Sequence, residues 1–129
     1  MKIVVDSSAL VAILLVEATA VEMAIRLATA SERVMSTSSY LETAIVCAGR
    51  GIEQARLDEL VKKGRIKRLG LTAGQADLAV AAIRKYGKGH GNKAQLNLGD
   101  LHSYALAKSK GWPLLFVGND FPHTDLLAA

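Results

Sequence analysis

The feature that most constrains this chain is the alternation of short apolar runs with longer amphipathic segments. Residues 2–6, KIVVD, form a β-branched run without polar alternation, which is typical of a strand buried on both faces of a parallel sheet. Similar runs lie at 32–37, 65–71 and 113–118, with helical patterns between them. This order predicts an α/β fold: a three-layer α/β/α sandwich with a central, mostly parallel sheet.

Capping residues and glycines set the expected helix boundaries. The predicted helices are 7–18 with an Asp6 or Ser7 cap, 20–31, 38–49 with a Ser38 or Ser39 cap, 50–64 ended by Gly64, 72–87 with a Thr72 cap and a Gly87 stop, and 99–111. The expected buried stripe of the second helix is Val21, Met23, Ala24, Leu27 and Ala28. Residues 88–97 are expected to form a mobile loop, and the tail after 118 a short helix or irregular cover.

The chain length fits one domain, residues 1–129, which is large enough to build its own core. No apolar run approaches the ~20 residues of a membrane helix, and no leader with a cleavage site is evident, so a cytoplasmic location is expected. Cys47 is the only cysteine, which excludes an internal disulfide and a cysteine zinc site. Sixteen Lys and Arg against twelve Asp and Glu give a charge of +4, a mild bias towards polyanions. The basic clusters at 62–68 and 84–93 are first explained as a solvated helix end and a loop.

The twelve acidic residues divide into two groups by position. Seven lie on polar helix faces or turns, where solvation explains them: Glu17, Glu22, Glu32, Glu53, Asp58, Glu59 and Asp77. Five lie at ends of elements or on an apolar helix: Asp6, Glu42, Asp100, Asp120 and Asp125. Taken singly, Asp6, Asp100 and Asp125 are explained as helix caps and Asp120 as a turn residue. Glu42 resists such an explanation because its helical neighbours are apolar.

The carboxyl ends of parallel strands meet at one sheet edge, where ligands bind. If Asp6, Glu42, Asp100 and Asp120 converge there, each pair of charges about 4 Å apart repels by ~4 kcal/mol at an effective dielectric constant near 20. Such a cluster requires protonation or a cation, and oxygen ligands favour Mg²⁺ or Mn²⁺. A cation there could activate water and neutralise charge on a phosphate. The sequence therefore predicts that the last strand ends in a carboxylate at a metal site.

Four segments in this order resemble one known family. VDSSAL, YLETA, LNLGDLHSYALAKSKG and LLFVGNDFPHTD are together similar to the PIN-domain ribonucleases, and in particular to the VapC toxins of toxin–antitoxin pairs. Each motif is weak alone, but their order and spacing span nearly the whole chain. The resemblance implies an endoribonuclease toxin that hydrolyses RNA phosphodiester bonds with a metal-activated water.

The resemblance also implies a set of site residues and partners. Asp6, Glu42, Asp100 and Asp120 would be catalytic and would hold one or two Mg²⁺ or Mn²⁺ ions, with Asp125 as an additional acid. Ser8, Asn119 and Thr124 would orient these carboxylates or bind water. Asn97 is expected to fix the turn into its helix, and His90, His102 and His123 to be structural or solvated. The implied partners are the RNA substrate, a VapB-type antitoxin and a second copy of the chain in a homodimer.

Three alternatives compete with this hypothesis. The first is a PIN-like α/β interaction module in which the acids only cap helices and no nuclease activity exists. The second is a metal-dependent DNA nuclease with the same site. The third, a receiver-type phosphorelay domain, is set aside because VVDSS and FVGND lack its paired acids and its lysine.

Overall fold

The computed structural model describes all residues from 1 to 129. Four strands and six α-helices follow one another along the chain: β1 (Lys2–Val5), α1 (Ser7–Leu14), α2 (Ala20–Thr29), β2 (Glu32–Ser36), α3 (Thr37–Gly49), α4 (Gln54–Lys63), β3 (Ile66–Leu69), α5 (Ala73–Tyr86), α6 (Leu98–Lys110) and β4 (Leu114–Leu115). A 3₁₀ helix, Phe121–His123, lies in the tail. No helix combines the length and the hydropathy that a membrane crossing requires.

All four strands run parallel in one sheet, in the order β3-β2-β1-β4. Ile3 and Val5 of β1 belong to a core formed with α1 to α4. Val4, which points the other way, belongs to a second core formed with α5 and α6. Both cores bury β1, as its β-branched run predicts. The α/β/α sandwich predicted from the sequence is confirmed.

Local capping explains most helix boundaries. Asp6 caps α1, Gly64 ends α4, and Thr72 forms a reciprocal capping box with Gln75 at the start of α5. The predicted cap of α3 was wrong: the helix begins at Thr37, and the side chain of Ser36 accepts from the Ser39 N–H. The helix predicted at 50–64 begins only at Gln54.

The first helix ends at Leu14, four residues earlier than predicted. Val16 adopts a left-handed conformation with φ 52°, and the Glu17 N–H bonds back to the Ala12 carbonyl at 2.9 Å. This is the geometry of a Schellman stop, which usually carries glycine in the left-handed position. The β-branched valine hid the stop from the sequence prediction.

The predicted buried stripe of α2 was too wide. Only Met23 and Leu27 are buried, while Val21, Ala24 and Ala28 are exposed. α2 packs mainly on α1, at the outside of the helical layer, so one narrow side of it faces protein.

The last strand is shorter than the predicted 113–118. The Leu114 and Leu115 pair is followed by Val117, whose N–H donates to the Ser8 Oγ at 3.0 Å instead of joining the sheet. The tail then returns to the edge of the sheet, where the Ala129 N–H donates to the Leu114 carbonyl. The loop expected at 88–97 is anchored at its far end, because Leu96 is buried and bridges Gly87.

Candidate active site

The carboxyl edge of the sheet carries the acidic residues. The chain moves outward from β1 through β2 to β3 and then adds β4 on the other side of β1, so the order of the strands switches beside β1. Crevices at such switch points are the usual ligand sites of open parallel sheets. Asp6 follows β1 directly, and the loop after β4 leads to Asp120. The N-terminal halves of α3 and α6 bring Glu42 and Asp100 to the same edge.

Asp6 is 3% exposed and is held on both of its oxygens. Its Oδ2 accepts from the backbone N–H of Ser8 at 3.1 Å and from the Ser8 Oγ at 2.6 Å. Its Oδ1 accepts from the Ser103 Oγ at 2.6 Å. Asp6 is therefore a helix cap, as one alternative held, but it is also fixed by a helix 97 residues away. A cap alone does not require that second contact.

Three buried serines continue from Asp6 into the protein. The Ser103 Oγ lies 3.0 Å from the Ser39 Oγ, which lies 3.0 Å from the Ser36 Oγ. Ser103 gives its proton to Asp6, so Ser39 must donate to Ser103, and Ser36 donates to Ser39. All three hydroxyl dipoles point towards the carboxylate, and such chains reinforce one another. The network ties β1, β2, α3 and α6 together at the site.

The sequence analysis missed this serine chain, although a signal existed. Ser103 lies three residues after Asp100, and so on the same side of α6, and the next four residues of the helix are buried. A serine that is 0% exposed on such a helix needs a partner, because unpaired buried hydroxyls are costly.

Glu42 lies half-buried against the start of α6. A Cβ atom added to Gly99 would be 2.3 Å from the Glu42 Oε2, so only glycine allows this approach. Burial raises the pKa of Glu42, and the charge of Asp6 raises it further. A hydrogen bond from Ser7 and the charge of His102 oppose the rise in this pKa.

Asp100 opens α6 in a capping box with Asn97. The Asn97 N–H donates to the Asp100 Oδ2 at 3.1 Å, and the Asp100 N–H donates to the Asn97 Oδ1 at 2.9 Å. Burial raises the pKa of Asp100 to about 6. The hydrogen bond from the Asn97 backbone opposes this rise in pKa, while the charges of Asp6, Asp120 and Glu42 add to it.

Asp120 is the exposed member of the four. It lies at the start of the 3₁₀ helix after Gly118, whose φ of 124° lets the loop turn back over the edge. The loop, not the strand, carries this acid, which corrects the prediction that the last strand ends in it. Asn119 beside it is exposed as well.

The four acids act on one another but do not form a closed cage. No three Asp, Glu, His or Cys side chains converge tightly enough to enclose a metal ion. Mg²⁺, however, is usually held by one or two carboxylates together with waters and substrate phosphates, without an all-protein cage. The donors are oxygens only, and the raised pKa values of Glu42 and Asp100 show negative charge that a cation would relieve. The residues present therefore fit a hard divalent cation.

Asp125 is bonded to two residues of α6, neither of which bonds the other four acids. The Tyr104 hydroxyl donates to its Oδ1 at 2.8 Å and the Lys108 ammonium to its Oδ2 at 2.5 Å. Tyr104 and Lys108 are four and eight residues beyond Asp100, or roughly 6 and 12 Å further along α6. Burial alone would raise the pKa of Asp125, but its bonds to Lys108 and Tyr104 outweigh burial and hold the pKa below its usual value.

The remaining predicted residues differ in whether they contact the acidic site or only the local backbone. Ser8 bonds both Asp6 and the loop after β4. Thr124 serves the local backbone, because its Oγ1 donates to the Phe121 carbonyl at 2.6 Å. His102 is held by a bond between its Nδ1 and the Leu98 carbonyl at 2.8 Å, whereas His90 and His123 are exposed.

Comparison with known proteins agrees with this architecture. Residues 3–127 match the PIN domain family. A VapC ribonuclease of Mycobacterium bovis, Mb0640, is 46% identical over 125 residues, which cover 95% of both chains. Ribonuclease VapC of Mycolicibacterium smegmatis is 47% identical over 127 residues, covering 97% of this chain and 98% of that protein.

Two solved structures share the fold at low sequence identity. Mycobacterium tuberculosis VapC20, described as a sarcin-ricin loop cleaving toxin, has a TM-score of 0.79 at 16% identity and covers 99% of this chain and 98% of its own. A toxin–antitoxin complex from Klebsiella pneumoniae has a TM-score of 0.73 at 17% identity, with coverage of 99% and 97%. The family match and the mycobacterial relatives together show that this chain belongs to the PIN-domain family, among its VapC proteins.

Proposed function

We propose that this protein is a Mg²⁺- or Mn²⁺-dependent endoribonuclease, the toxin of a type II toxin–antitoxin pair. The observation that carries the proposal is the placement of Asp6, Glu42, Asp100 and Asp120 at one edge of the sheet, where the charges of the other three raise the pKa of Asp100. Interaction modules have no need of four mutually repelling acids at one sheet edge, whereas phosphodiester hydrolysis uses such a cluster with a cation. The names of the relatives, VapC ribonucleases, support the choice of RNA as substrate.

The four acidic residues differ in how firmly they are held and in how exposed they are. Asp6, fixed on both oxygens by Ser8 and Ser103, gives an immobile carboxylate. Glu42 and Asp100 supply charge from the half-buried wall, and Asp120 supplies it from the exposed loop where RNA must approach. When bound, Mg²⁺ or Mn²⁺ would supply the Lewis-acid chemistry that activates water and neutralises phosphate charge.

The test is cleavage of a structured RNA by the purified protein. We expect products with Mn²⁺, none with EDTA, and none with Asp6→Asn, Glu42→Gln, Asp100→Asn or Asp120→Asn. DNA of the same sequence should stay intact; its cleavage would favour the DNA nuclease. Mn²⁺ should also raise the melting temperature of the wild type, because a ligand that binds only the folded state stabilises it. Full activity in any two of these variants would refute the site.

A VapB-type antitoxin would bind on the α2 side. A groove of about 450 Å³ between α2 and α4 is lined by apolar residues, including Ala24, Leu27 and Leu60, and by the cations Arg33, Lys63 and Arg65. An amphipathic segment with acidic residues fits this lining. Coexpression with the protein encoded beside it should yield a stable complex with reduced RNA cleavage, and Ala24→Glu should weaken that complex.

A second copy would cover the α5 side. Val80 and Leu98 are 60% and 75% exposed and line an apolar groove of about 200 Å³ between α5 and α6. Sedimentation should show a dimer that Val80→Glu converts to a monomer. Since RNA and an antitoxin partner are found in the cytoplasm, we place the protein there.

A further inference from the structure

The cations of segment 62–68 are concentrated at the β3 edge of the sheet. Lys62 and Lys63 end α4, Arg65 links the helix to β3, and Lys67 and Arg68 lie on the strand. Only Lys63 forms an ion pair, with Glu59 at 2.7 Å. Two ordinary explanations cover part of the charge: lysines favour helix C-termini, and charged residues protect edge strands. Neither explains how the two arginines are held.

Arg68 is stacked on an aromatic ring. Its guanidinium carbon lies 4.2 Å from the ring centroid of Tyr40, which belongs to the first turns of α3. β-Strand side chains alternate, so Arg68 points to the same face as Ile66, towards α3 and α4, and Lys67 points to the other. The stack holds the guanidinium in place, and its N–H groups are left for an acceptor.

Arg65 has a backbone conformation that normally suits glycine. Its φ is 49°, directly after Gly64, the C-cap of α4. A left-handed arginine is strained, and Arg65 forms no ion pair within the protein that would offset this strain. Its side chain lines the same groove as Tyr40, Lys62 and Arg68, which has a volume of about 380 Å³. Asp58, the only acid in that lining, is already bonded to Tyr40 and Gln54.

The groove begins beside the acidic edge. Leu69, next to Arg68, pairs with Ser36, the last member of the serine chain from Asp6. β3 is two strands from β1, or about 10 Å at the usual strand spacing. From Arg68 the groove follows β3 back to Arg65, which is three residues, or roughly 10 Å, away. A polyanion that enters the acidic edge could therefore continue over these cations.

We propose that Tyr40, Lys62, Arg65 and Arg68 form a track for the phosphodiester backbone of the RNA strand that flanks the scissile bond. The inference rests on the proposed ribonuclease function and adds where the substrate runs. The repelling acids cannot attract RNA themselves, so the attraction must come from elsewhere on the surface. The track offers three cations that form no ion pair, and it begins on a strand about 10 Å from β1.

The test is the salt dependence of RNA binding in EDTA, where no cleavage interferes. Fluorescence anisotropy with a labelled single-stranded RNA gives log Kobs against log[KCl] for the wild type and for Arg65→Ala/Arg68→Ala. Each lost phosphate contact flattens the slope by about 0.7, so the double variant should lose about 1.4. At 0.1 M KCl, tenfold below a 1 M reference, this corresponds to about 25-fold weaker binding.

Arg84→Ala/Lys85→Ala is the matched control. It removes the same two charges from the exposed end of α5, where neither residue forms an ion pair, and should change the slope only slightly. Equal slopes for both double variants, or a larger loss in the control, would overturn the track. The ribonuclease assignment is judged separately by wild-type cleavage with Mn²⁺: cleavage with an unchanged Arg65→Ala/Arg68→Ala slope defeats the track alone. No cleavage and no RNA binding by the wild type defeats both.

Discussion

Asp100 and Asp125 are two aspartates that both contact α6, and their surroundings shift their pKa values in opposite directions. Asp100, at the start of α6, has its pKa raised to about 6 by burial and then by three acidic neighbours. Asp125 contacts the middle of α6, and its pKa is lowered because the bonds from Lys108 and Tyr104 outweigh its burial. The Asp100 carboxylate has acidic neighbours that repel its charge, whereas the Asp125 carboxylate has hydrogen-bond donors that stabilise its charge.

The difference separates function from stability. A carboxylate with a lowered pKa contributes to folding at neutral pH, because the folded state favours its charged form. A carboxylate with a raised pKa destabilises the folded state at neutral pH, and such a group persists only where another role maintains it. The comparison therefore supports the catalytic role proposed for Asp100 and favours a structural role for Asp125. Each of the following predictions tests this assignment or extends it to a neighbour.

The largest expected effect is that substitutions of these two aspartates have opposite consequences for RNA cleavage and for melting temperature. Asp100→Asn should lower RNA cleavage at least about 1,000-fold while the melting temperature stays level or rises. Asp125→Asn should leave cleavage within a few-fold of wild type and lower the melting temperature, because the bonds from Lys108 and Tyr104 weaken. Parallel cleavage assays and thermal melts decide it. A loss of cleavage in Asp125→Asn without unfolding would restore Asp125 as a metal ligand.

A smaller effect is expected from the serine that fixes Asp6. Ser103→Ala removes the donor to the Asp6 Oδ1 and leaves Ser39 without its acceptor, at a cost of about 1–3 kcal/mol in unfolding free energy. Asp6 would then be less well oriented, so the apparent affinity for Mn²⁺, measured by calorimetry, should fall about 10- to 100-fold.

Ser109→Ala is the control for Ser103→Ala. Ser109 is exposed on the same helix, and its Oγ bonds only the local Leu106 carbonyl and Gln75. It should leave both stability and Mn²⁺ affinity near wild type. If Ser103→Ala lowers stability but leaves Mn²⁺ affinity unchanged, the serine chain supports the fold and not the site.

A third prediction concerns the contact between Gly99 and Glu42. Gly99→Ala places a methyl group where the Glu42 carboxylate lies, and this flexible side-chain end must move. We expect cleavage to fall about tenfold with little change in stability. Gly74→Ala, in the first turn of α5, meets nothing within 4 Å and should leave cleavage unchanged while stabilising by up to about 1 kcal/mol. Equal cleavage by both variants would show that the position of Glu42 does not matter.

The sequence predicted those parts of the molecule that depend on local patterns. The both-face burial of β1, the Thr72 capping box and the Gly64 stop follow from neighbouring residues, as does the turn fixed by Asn97. Parallel strands bring their ends to one edge, so the proximity of Asp6 and Asp100 could also be inferred.

The features that the sequence did not predict depend on long-range contacts or on unusual residues. Val16 ends α1 without a glycine. The Val117 N–H bonds to Ser8, 109 residues away in sequence, and therefore does not extend β4. The link from Asp6 to Ser103 spans 97 residues, and the attachment of Asp125 to α6 spans 17 to 21. Such contacts are created by packing, and no local spacing in the chain encodes them.

The smallest predicted effect is the pH dependence of stability in the absence of metal. The folded-state pKa of Asp100, about 6, lies above its ordinary value of 3.8, so the folded protein binds this proton more tightly than the unfolded chain. Its destabilising contribution is therefore fully present above pH 6 and is relieved as the pH falls from 7 to 5; Glu42 acts in the same direction. Asp125 affects stability in the opposite direction, but only below its ordinary pKa of 3.8.

After allowance for solvent screening, the gain in unfolding free energy from pH 7 to pH 5 attributable to Asp100 should be about 1 kcal/mol, or about 4 °C in melting temperature. Thermal melts in EDTA should show a smaller gain for Asp100→Asn than for the wild type, and an unchanged gain for Asp125→Asn. Equal gains in wild type and Asp100→Asn would mean that Asp100 is not the strained carboxylate, and the contrast between the two aspartates would fail.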